Sequence, residues 1–203
     1  MAKWIGDRIS TEDHPNDTTI IIYPIKKRVR EILLTAWVLS FTLVGLYLIY
    51  ILSTGVENLN APEDWTEEDY RNQKVYLIVF IGFWAYFEYK TLKALLWYKF
   101  GKELIRIDTE ALHVKRSIFS YGKSHRFFFE NIKEFGAQER NETSFGQYFE
   151  NAYWTVGTDA IGFKHFGKSK SFGRKLDEKS TRLLIRFIDD RIKKLRKKKA
   201  KAQ

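Results

Sequence analysis

Residues 32–52, ILLTAWVLSFTLVGLYLIYIL, contain no charged side chain, and Thr35, Ser40 and Thr42 are the only hydroxyls besides the tyrosines. As a helix this block is about 31 Å long, the thickness of a hydrocarbon core. It is apolar on every face, which predicts a first membrane-spanning helix over 32–52. A second block, 75–98 (VYLIVFIGFWAYFEYKTLKALLWY), is free of charge over Val75–Phe87 and is then interrupted by Glu88, Lys90 and Lys93. The uncharged part is too short to span alone. The lysines lie near one end, where their long stems reach headgroups, and Leu92, Leu95, Leu96 and Trp97 extend the apolar character. A second span over 75–98 is predicted. Thr66 with Asp69 three residues on is a helix-start signal, so this helix is expected to begin upstream of its apolar block.

From Gly101 the period changes from helical to alternating. Strands are expected at Glu103–Asp108, Ala111–Ile118, His125–Phe129, Ile132–Glu139, Asn151–Val156, Asp159–His165 and Lys168–Phe172, with turn chemistry between them and the longest loop at 140–150. From Asp177 the period is helical again. Leu184, Ile188, Ile192 and Leu195 form one stripe with Leu183 and Phe187 alongside, which predicts a helix that closes one mouth of the sheet. Ahead of the first span, the β-branched run 18–23 (TTIIIY) fits two readings equally: an edge strand of the soluble sheet or an interfacial segment.

Seven short strands followed by an amphipathic helix resemble the layout of pleckstrin-homology domains. The matching stretches are GKELIRIDTEALHVKRSIFSYGKSHRFFFENIKEF (101–135) and DAIGFKHFGKSKSFGRKLDEKSTRLLIRFIDDRI (159–192). Behind two apolar helices, this layout is similar to that of bacterial membrane-anchored PH-like proteins, over roughly residues 32–195. The resemblance implies a two-helix hairpin followed by a seven-stranded antiparallel sandwich or open barrel with a C-terminal capping helix. It brings no catalytic residues with it.

Charge orients this plan. Residues 26–30 (KKRVR) hold four basic groups, whereas the 53–74 loop has Arg71 and Lys74 against Glu57, Glu63, Asp64, Glu67, Glu68 and Asp69. From residue 99 onward there are 25 basic and 13 acidic residues. Basic segments stay in the cytoplasm, so both termini are expected inside and the acidic loop outside the cell (inner) membrane. The organisation read from the chain is a cytoplasmic segment 1–31, spans at 32–52 and 75–98 around an external loop 53–74, a cytoplasmic domain 99–198, and a polybasic tail 191–203. The N-terminal segment has no signal-peptide pattern, and the first span can act as the insertion signal. The apolar content (44%) and aromatic content (16%) are too high for a disordered chain. The absence of cysteine excludes disulfides, thiolate metal sites and a thiol nucleophile.

Few motifs point to chemistry. Gly162–Ser169 (GFKHFGKS) satisfies the phosphate-loop pattern, but the following Lys170-Ser-Phe-Gly173 is poor helix material and a hairpin is expected instead. Lys164, Lys168, Lys170, Arg174 and Lys175 crowd this hairpin and are candidates for contact with an anion or lipid headgroup. Eight of the eleven residues 191–201 are basic. Arg191, Lys193, Lys194, Arg196, Lys197, Lys198 and Lys199 are therefore expected to face an anionic leaflet. Glu88, about 10 Å inside the second span, is the one acid in a span and a candidate partner-contact or proton site. His14, His113, His125 and His165 lack metal-ligand spacing, and no metal or other cofactor is expected. The expected function is non-enzymatic: a membrane-anchored interaction or scaffold protein binding anionic headgroups and a membrane or cytoplasmic protein, but not nucleic acid. The alternative is an accessory subunit or assembly factor of a larger membrane complex.

Overall fold

The computed structural model describes residues 3–55, 64–138 and 155–202, with side chains as far as Lys198. The chain divides into two compact units, one of residues 27–95 and one of 1–26 together with 96–203.

The first unit is a pair of helices. Helix α1 runs Arg28–Thr54 and helix α2 begins at Glu67 and ends at Phe100, in the second unit. Both are long and apolar enough to cross a membrane. Their large apolar side chains are mostly exposed, including Leu39, Leu43, Val79 and Phe83, whereas a core helix of a soluble protein would bury them. α1 buries one seam, Leu34, Val38, Gly45 and Ile51. Gly45 is required there: a Cβ would lie 1.8 Å from the Trp84 ring. Trp84 Nε1 donates to the Phe41 carbonyl at 2.9 Å. The expected start of the second helix is realised as a box in which the Thr66 amide and hydroxyl donate to Asp69 Oδ2, at 2.8 and 2.6 Å.

The second unit holds two antiparallel sheets. Strands β1 (Lys3–Ile5), β2 (Ile9–Asp13), β3 (Thr18–Ile22), β4 (Gly101–Ile107), β5 (Ala111–Ile118) and β6 (Ser124–Phe128) form a six-stranded meander in that order. Strands β7 (Ile132–Ala137), β8 (Asp159–His165) and β9 (Lys168–Arg174) form the other sheet. Helix α3 (Glu178–Ala202) follows. The core between these elements contains Ile9, Ile20, Ile22, Ile105, Ile107, Leu112, Phe127, Ile161, Phe163 and Phe172, and the α3 stripe contributes Leu184, Ile188 and Leu195. Leu183, expected alongside that stripe, is exposed.

Nine strands are present among the described residues instead of the expected seven. Six expected strands appear within two residues of their predicted ends. Of the seventh, Asn151–Val156, residues 151–154 lie outside the described residues, and Thr155 and Val156 are not in a strand. Residues 18–22 are a strand: Thr18 pairs with Ile107 and Ile22 with Glu103, and Thr18, Ile20 and Ile22 alternate inward. Strands β1 and β2 extend the sheet beyond them, so residues 1–26 of the expected N-terminal segment 1–31 belong to the β unit. The helical pair is thus inserted in the chain between two strands that are neighbours in one sheet.

The helix N-cap is explicit. Asp177 Oδ2 accepts the Ser180 amide hydrogen bond at 3.0 Å. The bonds from Ser180, then the nearby Arg8 charge, hold the Asp177 carboxyl below the usual carboxylate range. Asp177→Ala is expected to cost about 1 kcal/mol in thermal unfolding, a typical loss for a cap. Because the folded value is the lowered one, this stabilisation is present at neutral pH and is lost as pH falls through the folded value. Asp177→Asn should keep most of the cap but flatten that part of the acid profile.

Candidate functional site

The most unusual arrangement in the β unit is a square of four charges between its sheets. Along β4 the inward positions are Gly101, Glu103, Ile105 and Ile107. Glu103 therefore occupies an apolar face and is only 1% exposed. Its register partner across β5 is Arg116, and in the other sheet Asp159 is the register partner of Arg174. Each sheet thus presents one acid–base pair to the other. Arg116 Nε donates to Glu103 Oε1 at 2.9 Å, and its Nη2 donates to Asp159 Oδ2 at 2.5 Å and to the Ser171 carbonyl at 2.9 Å. Glu103 Oε2 accepts the amides of Gly173 at 2.7 Å and Arg174 at 3.2 Å. The Ser171 hydroxyl donates to Asp159 Oδ2 at 2.6 Å.

Arg174 is held more loosely. Its Nε lies 3.9 Å from Glu103 Oε1 and 3.7 Å from Asp159 Oδ1, beyond hydrogen-bond reach of both. Its guanidinium instead stacks over the Trp97 ring at 4.6 Å. Burial, added to by the Arg116 charge, lowers the Arg174 pKa despite the two acids. Burial also works against Arg116, but there Glu103 and Asp159 outweigh it and raise the pKa. Glu103 is engaged by Arg116 and two backbone amides, whereas Asp159 bonds through Oδ2 and its buried Oδ1 has no hydrogen-bond partner among the described groups; the square joins the two sheets.

Beside the square, a cleft of about 420 Å³ opens between the sheets. Its floor is Val114, Phe127 and Phe163, Arg116 forms a wall, and Lys123, His125 and Lys170 stand at the rim with Ser169 and Ser171. No carboxylate is among these described lining residues. An amphipathic anion matches this lining, with its charge at the rim and its apolar part over the phenylalanines.

The five cations expected to converge on the β8–β9 hairpin do not form one cluster. Lys170 lines the cleft, but Lys164 pairs with Glu134 at 2.7 Å and Arg174 belongs to the charge square. Lys175 Nζ donates to the Tyr98 hydroxyl at 2.8 Å, and Lys168 is exposed. Neighbours in a strand point to opposite faces, so closeness along the chain does not bring the side chains together. Gly162–Ser169 is the expected hairpin, turning at Phe166-Gly167 with φ of 50° and 75°, and a strand, not a helix, begins at Lys168.

The polybasic run forms the last turns of α3, in keeping with the helical period that begins at Asp177. Arg191 bonds Asp13, Arg196 stacks over Phe129 at 5.4 Å, and Lys198 donates to the Pro15 carbonyl at 2.7 Å. Lys193, Lys194 and Lys197 are exposed, and the Lys199 side chain lies outside the described ones. The basic run is thus divided: part of it fastens α3 to the β2–β3 turn, and a narrower stripe faces solvent.

Glu88 Oε1 accepts a 2.6 Å hydrogen bond from the Thr42 hydroxyl of α1, and Oε2 is buried without a partner among the described groups. It therefore joins the two helices. His113 pairs with Asp108 at 2.8 Å, His125 stacks on Phe127, His165 packs edge-on to Phe127, and the His14 amide bonds the Asp17 carbonyl. No group of three or more metal-ligating side chains occurs among the described residues.

The charge square and the cleft were missed by sequence reasoning. One signal was available: Glu103 shares an inward face with Ile105 and Ile107, so its charge falls where the pattern demands an apolar residue. Asp159 and Arg174, far away in the chain, gave none. Comparison of the chain with protein families, with characterised proteins and with solved structures finds no match.

Proposed function

We propose that this is a non-enzymatic, membrane-anchored interaction or scaffold protein. In this reading α1 and α2 cross the cell membrane as a pair, both termini are cytoplasmic, and the β unit is a pleckstrin-homology-like domain at the inner leaflet. Strands β3–β6 supply four strands, β7–β9 three, and α3 the capping helix. The helical pair then interrupts the domain between its first and second strands, with β1 and β2 as additions.

The observation that carries the proposal is the pairing of β3 with β4. The chain between these hydrogen-bonded neighbours contains both apolar helices. Two strands of one sheet occupy one compartment, so the chain between them crosses the membrane an even number of times. With α1 too apolar to stay in water, α2 crosses as well. The basic residues at 26–30 and beyond 99 favour the cytoplasm for the sheet.

Single-cysteine labelling tests this directly, because the natural chain has no cysteine. Asp64→Cys should react with an impermeant maleimide on intact cells, and Lys179→Cys should react only after lysis. Equal protection of both positions would sink the two-span reading, and the reverse pattern would sink the orientation.

The ligand proposed for the cleft is an anionic headgroup. For the full chain in nanodiscs, Lys123→Glu with Lys170→Glu should weaken binding of a soluble inositol polyphosphate at least about tenfold, or roughly 1.4 kcal/mol. Unchanged affinity would remove the anion from the proposal and leave a protein partner. The accessory-subunit reading is favoured by one observation, the exposed apolar flanks of both helices. Under it, a partner would co-purify with residues 27–95 alone.

A further inference from the structure

The turn joining β5 to β6 has a composition that its backbone does not favour. Ile118 and Tyr121 exchange two 3.0 Å backbone hydrogen bonds around a two-residue turn. Its central residues, Phe119 and Ser120, both have positive φ, 52° and 69°. Such turns normally carry Asn-Gly, because glycine has no Cβ and asparagine tolerates the left-handed region, where a bulky side chain is strained. Here the first position is a phenylalanine, 54% exposed, and Tyr121 beside it is 85% exposed. In water alone, this turn pays strain to display aromatic surface, so the arrangement calls for a medium that takes the rings up.

Its neighbours identify that medium. The Phe119 ring stacks on Phe100 at 4.1 Å, and Phe100, itself 45% exposed, is the last residue of α2. Along α2, Phe100 comes directly after the apolar block 75–98 and Lys99. This is the depth of the headgroups if the helices cross a bilayer. Lys99 and Lys123 flank the rings in sequence and are exposed. Aromatic rings with lysines beside them are the chemistry of the membrane–water interface.

We propose that the Phe119–Tyr121 turn, with Phe100, is a lipid-interface anchor: its rings enter the headgroup region and its lysines meet anionic phosphates. The anchor would hold the cytoplasmic domain against the leaflet at a second point besides its chain connections to the helices. The proposal rests on the two-span reading above, and its test separates the two.

Single cysteines at Tyr121, Leu43 and Lys179 would be placed in the full chain, labelled with a polarity-sensitive fluorophore and reconstituted into vesicles of zwitterionic and anionic phospholipid. Tyr121 is almost wholly exposed, so its replacement does not disturb the core. The Tyr121 label is expected to emit at shorter wavelength than the Lys179 label. It should also lose quenching by iodide present on both sides of the vesicle, and be quenched by nitroxide lipids carrying the radical near the headgroup. A Tyr121 label that behaves like the Lys179 label, with the Leu43 label deep in the acyl region, overturns the anchor and leaves the spans intact. A Leu43 label open to iodide overturns both. A Tyr121 label shielded from iodide but untouched by nitroxide lipids marks a protein contact and also overturns the anchor.

Discussion

Glu103→Ala is expected to lower the stability of the β unit by about 3–5 kcal/mol, the usual consequence of removing one partner from a buried charge pair. The magnitude follows from what is stranded. Arg116 loses its 2.9 Å partner, and the amides of Gly173 and Arg174 lose the acceptor that satisfies them inside the protein. Those amides are the last two of β9, so the loss falls on the contact between the sheets. Chemical denaturation of the detergent-solubilised full chain, followed by far-ultraviolet circular dichroism, measures it. The double variant Glu103→Leu with Arg116→Met is expected to recover part of the loss, because unpaired charge is worse than none. A cost below about 1 kcal/mol for the single variant is too small for an orphaned buried ion and would mean that water satisfies this site.

Arg8→Ala should be nearly as damaging, at about 3 kcal/mol, because a charged donor to several carbonyls is removed. Arg8 lies in the β1–β2 turn and its guanidinium donates to the carbonyls of Tyr23 at 2.9 Å, Lys175 at 2.6 Å and Arg174 at 3.0 Å. Burial lowers its pKa, opposed by Asp177 and Glu103. One side chain thus fastens the N-terminal strands to the loop between β9 and α3. Arg8→Lys should not restore it, since an ammonium lacks the planar fork. Hydrogen exchange gives the specific readout: amides of β2 and of the start of α3 should lose protection together. Protection that survives in β2 would show that the sheet pairing alone holds this segment.

The two helices could be read from the chain because a lipid-length apolar block needs no partner to declare itself. Six strands and α3 could be read because alternation and the 3.6-residue period were carried by large side chains, Ile105 with Ile107 and Leu184 with Ile188. Strands β1 and β2 went unseen for the opposite reason. Lys3–Asp13 is short and polar, and its buried residues include Ser10 and Thr11, so hydrophobic patterning carries almost no information there. The run 18–23 was ambiguous because β-branched residues suit both a strand and an interface, and only its pairing with β4 decides between them.

The candidate site shows a sharper division. The basic surplus, the cysteine-free chemistry and the apolar length of both helices are properties of composition and order, and folding leaves them unchanged. Which charges meet is another matter. Lys164 and Lys170 lie close in the chain and serve different surroundings, while Glu103, Arg116, Asp159 and Arg174 come from four strands and share one. Strand register and the stacking of two sheets create that meeting, and neither is encoded in any short stretch of residues. The residue list therefore determined the membrane-length blocks and the local elements by itself, whereas the sheet that receives β3 beside β4 decided which side chains form a site and tied the two apolar helices to a shared fate.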